Sequence, residues 1–197
     1  VQGNGVGEQV SVTGKTLAVR VRVQGPRWIE ADRVEVYLNG ELSATRPILA
    51  RRGAVVKFDE EISLPNLAHD AWLVVIASGP GTREHYWPTP RPNVPLRADW
   101  EPRVIGSTNP IWLDGDGDGR FSSPNAYAQK LISANLQDPP ALIRSLGKFD
   151  SATAVQMASL LTKDGVDLND TAWRRAMGGA EAHVRHGIAA YLNLLKP

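Results

Sequence analysis

The chain has no cysteine, which excludes disulfide scaffolds, zinc–cysteine sites, iron–sulfur clusters and thiol nucleophiles. Charge of one sign is also lacking. With 22 Lys+Arg against 21 Asp+Glu the net charge is +1, so no overall basic field points to nucleic acid. Long apolar runs are missing too: the longest, Ala71 to Ala77, falls far short of a membrane span. No Gly-rich phosphate loop, Gly-x-Ser-x-Gly elbow or His-Glu-x-x-His occurs, and no organic cofactor is expected. The only methionines are Met157 and Met177, so Val1 is not a translation start. The expectation is a processed mature protein or a piece of a longer one. What remains is ordinary globular composition, 42% hydrophobic and 22% charged over 197 residues, enough for one or two domains with real cores.

The chain reads in two halves. Leu17, Val19, Val21 and Val23 alternate with Arg20 and Arg22, the period of a strand with one wet face. Val34, Val36 and Leu38 repeat the pattern, and Asn39-Gly40 then tolerates the positive φ of a tight hairpin, with Glu41 to Arg46 returning. Val56, Phe58, Ile62 and Leu64 continue the alternation, Ala71 to Ala77 reads as a central strand, and Ile111-Trp112-Leu113 as a last one. Residues 86–102, with five prolines, read as a long connection. Together these predict an antiparallel β-sandwich, immunoglobulin-like, over residues 1–123.

Residues 124–197 predict an all-α helical bundle of about four helices, making the chain α+β. Ser122-Ser123-Pro124 opens a helix to about Leu136, and Asp138-Pro139 opens a short one ending near Gly147. Asp150 or Ser151 caps a third, to about Thr162, and Asn169 or Asp170 caps the last. There Trp173, Met177, Ala180, Val184, Ile188, Tyr191 and Leu195 form one apolar stripe, predicting a single helix of more than six turns with a packing face.

The strongest chemical motif is Asp114-Gly-Asp-Gly-Asp-Gly-Arg-Phe-Ser122. Three carboxylates at alternate positions converge only if the chain curls, and together they repel unless a cation joins them. Asp114, Asp116 and Asp118 fit positions 1, 3 and 5 of a calcium loop, with Gly119 at the turn position. Arg120 then offers its carbonyl at 7, Phe121 anchors the loop at 8, Ser122 stands at 9 and Asn125 at 12. A helix–loop–helix calcium site has a bidentate Glu at that last position, so weaker binding is expected unless another carboxylate, such as Asp99 or Glu101, folds over. The expected ion is calcium, structural in role, placed where sandwich passes into helices.

Other candidates carry less. His183 and His186, with Glu181, lack two further zinc ligands and read as surface or packing residues. Glu84 and His85 form an acid–base pair with no nucleophile motif beside it. Of six tryptophans, Trp72, Trp112 and Trp173 sit in apolar patterns, whereas Trp87 and Trp100 are the candidates for an exposed carbohydrate platform.

Pro26-Arg-Trp28 with Ala31-Asp-Arg-Val-Glu-Val-Tyr-Leu-Asn-Gly40, then Ala71-Trp-Leu-Val-Val-Ile-Ala-Ser-Gly79 and Tyr86-Trp87, then Thr108-Asn-Pro-Ile-Trp-Leu-Asp-Gly-Asp-Gly-Asp-Gly119, stand in that order. Over roughly residues 3–125 they resemble the region after the catalytic domain in secreted bacterial PHP-type (polymerase and histidinol phosphatase) metallohydrolases, especially the carbaryl-hydrolase-like branch. The helical half resembles the all-α tail that some of them carry. That family's catalytic ligands include His-x-His, which the histidines at 69, 85, 183 and 186 do not form, so no catalytic residue carries over. The resemblance implies a non-catalytic accessory module, secreted or periplasmic. Its partner is then a hydrolase domain of the same chain, or another protein. The parent enzyme would act on phosphoesters, carbamates or related esters. The alternative is a stand-alone carbohydrate- or surface-binding protein of the bacterial envelope.

Overall fold

The computed structural model describes residues 1–12, 14–50, 52–65, 67–80, 82, 103–135 and 138–194. Among them lie eight strands and five helices, a mixed α+β chain. The strands are β1 (Gln9–Ser11), β2 (Thr16–Gln24), β3 (Arg33–Leu38), β4 (Glu41–Pro47), β5 (Val56–Pro65), β6 (Ala71–Pro80), β7 (Arg103–Ser107) and β8 (Ile111–Asp114). One sheet has the order β1-β8-β6-β3-β4, with β7 also paired to β6, and β2 and β5 form a second sheet. The pairs β2–β5, β3–β4, β3–β6 and β6–β7 run antiparallel. The short strands β1 and β7 have no legible alternation and are not among those that the sequence predicts. The proline-rich connection at 86–102 lies outside the described residues.

The alternation that predicts the strands also selects what they bury. Leu17, Val19 and Val21 of β2, Val34, Val36 and Leu38 of β3, and Leu73 and Val75 of β6 are buried. Asn39 (φ 48°) and Gly40 (φ 87°) make the β3–β4 turn, as their sequence requires. The buried Asn39 side chain accepts the Trp72 N–H at 2.9 Å, tying the hairpin to β6. One expected alternation fails. Val56 is exposed and Lys57 buried, because Val23 pairs with Phe58 and Gln24 with Val56, leaving Lys57 as the extra residue of a β-bulge.

The helices are α1 (Pro124–Asn135), α2 (Pro139–Leu146), α3 (Ser151–Lys163), α4 (Thr171–Gly178) and α5 (Ala182–Leu194). Asp138, Asp150 and Asp170 cap α2, α3 and α4, accepting the N–H groups of Ala141, Thr153 and Trp173. Each such cap contributes about 1 kcal/mol. The long final helix expected from Trp173 to Leu195 is instead two, α4 and α5. Gly178-Gly179 interrupts it: glycine is costly inside a helix, and the Gly179 N–H closes α4 onto the carbonyls of Ala176 and Met177. The stripe still does its packing, since Trp173, Ala180, Val184 and Ile188 share a core with Leu142, Leu146, Met157 and Leu161. Leu195 lies outside the described residues.

Two compact units result, Val1–Asn66 with Trp72–Leu113, and Leu67–Ala71 with Asp114–Pro197. The division falls before the acidic loop, where the sequence reading put it after, at 123/124. The first unit holds nearly all of the sheet residues. The second holds the helices, the loop and the five residues just ahead of and opening β6.

Gly187 lets α5 approach α3 closely: a Cβ there would lie 2.5 Å from the Ser151 carbonyl oxygen and 2.8 Å from the Ala154 Cβ. Alanine elsewhere in a helix gains about 1 kcal/mol over glycine, but this overlap costs about 1–3 kcal/mol. Gly187→Ala is therefore expected to lower the urea midpoint. Gly178→Ala, whose Cβ meets nothing within 4 Å, is expected to leave it level or raise it slightly.

Candidate metal centre

The pairing of β6 with β8 brings the residue ahead of one strand to the end of the other. β8 ends at Asp114, and Asp70 stands immediately before β6. Both carboxylates are fully buried. Asp114 holds the curl of the loop, its Oδ1 accepting the Gly117 N–H at 2.7 Å and its Oδ2 the Gly119 N–H at 3.0 Å. Gly117 and Gly119 allow this by taking positive φ, 77° and 79°. Gly115 is needed for a different reason: a Cβ there would fall 2.2 Å from the His69 carbonyl oxygen.

Asp70 closes the loop from outside. Its Oδ1 accepts the Gly115 N–H at 2.9 Å and its Oδ2 the Ser122 N–H at 2.6 Å, so one carboxylate spans both ends of the acidic motif. Asp116 Oδ1 accepts the Asp118 N–H, and its Oδ2 accepts the Tyr127 hydroxyl at 2.8 Å. That hydroxyl in turn accepts the Asp70 N–H at 3.2 Å, linking the loop, Asp70 and the first turns of α1. Burial pushes the Tyr127 phenol well above its ordinary pKa, and the Asp116 carboxylate adds to the rise, so it stays a donor. Beneath it His69 and Phe149 pack against the Tyr127 ring, and His69 Nε2 lies 3.2 Å from Oδ2 of Asp150, the cap of α3.

Asp70, Asp114 and Asp116 each present a carboxylate oxygen within 4.8 Å of the others, the only such group among the described residues. The donors named above are neutral amides and a phenol, which lessen the mutual repulsion of three carboxylates but add no positive charge. An ionised carboxylate has about four lone-pair sites, so oxygens that accept one N–H can still bind an ion. All-oxygen, anionic donors suit a hard cation.

Of the residues the motif singled out, the structure thus gathers Asp114 and Asp116. The Asp118 carboxylate lies outside the group and accepts the Arg120 N–H at 2.8 Å. Arg120 is exposed, and Ser122 contributes its N–H to Asp70. Asn125, in the first turn of α1, donates its amide to Gln156 Oε1 at 3.0 Å. The further carboxylate that joins the group is Asp70; Asp99 and Glu101, the sequence's examples of one that could fold over, lie outside the described residues, with Glu84, His85, Trp87 and Trp100. Asp70 escapes sequence reading because it is far from the motif in the chain. Its one local signal is an acid set directly against the most apolar strand.

No family model, curated protein or solved structure matches the chain.

Tyr127→Phe removes the acceptor of a buried amide and the donor to Asp116 together. It is expected to cost about 1–3 kcal/mol in urea unfolding of chelator-treated protein. An unchanged midpoint would show that the phenol does not tie the loop to α1.

Proposed function

We propose that the chain is a non-catalytic accessory or interaction module whose acidic loop binds a structural calcium ion. The observation that carries this reading is the convergence of Asp70 on Asp114 and Asp116. Asp70 supplies a carboxylate that Asn125 does not, and does so from a separate segment, where the helix–loop–helix site takes its closing Glu from position 12 of the loop itself. A structural role follows from two of the three carboxylates being fully buried and every one of their oxygens being an acceptor or a ligand candidate within a closed loop. The fold that accompanies it is an immunoglobulin-like β-sandwich with a helical bundle. Two sheets with alternating burial support the first part, and one shared core across α1 to α5 supports the second.

The parent protein, on this reading, is a secreted or periplasmic bacterial PHP-type metal-dependent hydrolase, for which this chain packs against or positions the catalytic domain. That part rests on the sequence resemblance running from Pro26 to Gly119. Its test is association of the chain with such a catalytic domain supplied in trans.

Calcium has a direct test. Millimolar calcium added to chelator-treated protein is expected to raise the melting temperature by about 3–8 °C, as binding at the extracellular end of the affinity range implies. Magnesium at equal concentration should do less. Asp116→Asn and Asp70→Asn should each remove most of the rise. No rise in the unmutated protein overturns the metal, and a full rise in Asp70→Asn overturns the role of Asp70.

A further inference from the structure

The bulge in β5 has a chemical consequence separate from the acidic loop. Lys57, its extra residue, is only 6% exposed. Its stem passes Gly25, where a Cβ would meet the Lys57 Cε at 3.7 Å, and its ammonium donates to the Ala54 carbonyl. Among the described residues it has no ion pair. A buried ammonium with a single neutral acceptor is under-compensated, since it offers three N–H donors and has given up most of its water.

Lys57 lines a cavity of about 300 Å³ whose other charged walls are Glu30, Asp32 and Arg52. Those three are already paired: Arg52 lies 3.4 Å from Glu30, and Asp32 takes Arg103 at 3.0 Å. Among the described residues, Lys57 is therefore the one charged lining residue outside an ion pair. Ile48 and Pro80 give the cavity an apolar side. A concave site with an apolar side and a few placed polar groups can take a small molecule. Bulges, moreover, commonly re-aim a side chain into such a place.

We propose that this cavity binds a small aliphatic carboxylate, its carboxylate paired with Lys57 and its short chain against Ile48 and Pro80. The pairing gives the Lys57 ammonium, through a charge-assisted hydrogen bond, a counter-ion that none of the described residues supplies, and the cavity volume limits the ligand to a few carbons. The burial of a lysine that the strand pattern would leave on the wet face is then explained by the ligand.

The test is a titration of the protein with sodium butyrate, at ionic strength held constant with chloride, followed by amide ¹H–¹⁵N shifts. Saturable shifts confined to Gly25, Gly53, Ala54 and their neighbours are expected, with none from butylammonium chloride. Lys57→Met should weaken the butyrate response about tenfold or more. Lys57→Arg should keep part of it. If Lys57→Met does not fold, the unmutated protein decides. Absent shifts, shifts spread over the exposed lysines, or an equal response to butylammonium overturn the site. Saturation by inorganic phosphate but not butyrate overturns the ligand class.

Discussion

The carboxylate of Asp70 is the contact on which the second unit's architecture turns. It is buried, it precedes the strand with the most apolar sequence, and it accepts the N–H groups at both ends of the acidic loop. A carboxylate so placed has exchanged water for two charge-assisted hydrogen bonds, each stronger than a neutral one. Losing either partner would leave a buried carboxylate short of a hydrogen-bond donor, which is far costlier than losing a surface pair. The loop, the strand ends and the start of α1 are thus held as one network, with Tyr127 as the member that touches both Asp70 and Asp116.

That network explains why the loop has three glycines and why they are not equivalent. Gly117 and Gly119 turn the backbone so that its amides point at Asp114, whereas Gly115 makes room for the carbonyl of His69. It also explains the electrostatic demand of the site. Backbone amides can fix the geometry of three close carboxylates but add no positive charge, which the proposed cation would supply.

Much of this was legible in the sequence, where the determinants are local. Period-2 alternation located β2 and β3, a short wholly apolar run located β6, Asn39-Gly40 marked its turn, and the three aspartate caps fell where the start signals put them. Legibility ended where a contact is non-local or a local rule is broken. Asp70 joins residues of the loop through strand pairing that no spacing reveals. The single long helix failed because an apolar stripe continues across Gly178-Gly179 while the backbone does not. Lys57 defeated the alternation because a bulge changes which face a residue meets, and a bulge leaves no mark in composition. Two of these three departures, Asp70 and Lys57, are charged residues taken out of water, one in each unit, and each coincides with a proposed binding site.

The most direct measurement of the central claim is a crystal structure of the calcium-loaded protein, with the ion located by its anomalous scattering. The account predicts one ion, with an oxygen from each of Asp70, Asp114 and Asp116 at about 2.3–2.6 Å. An ion held by the loop alone while Asp70 stays apart, or a loop of the same shape with no ion at millimolar calcium, would contradict it.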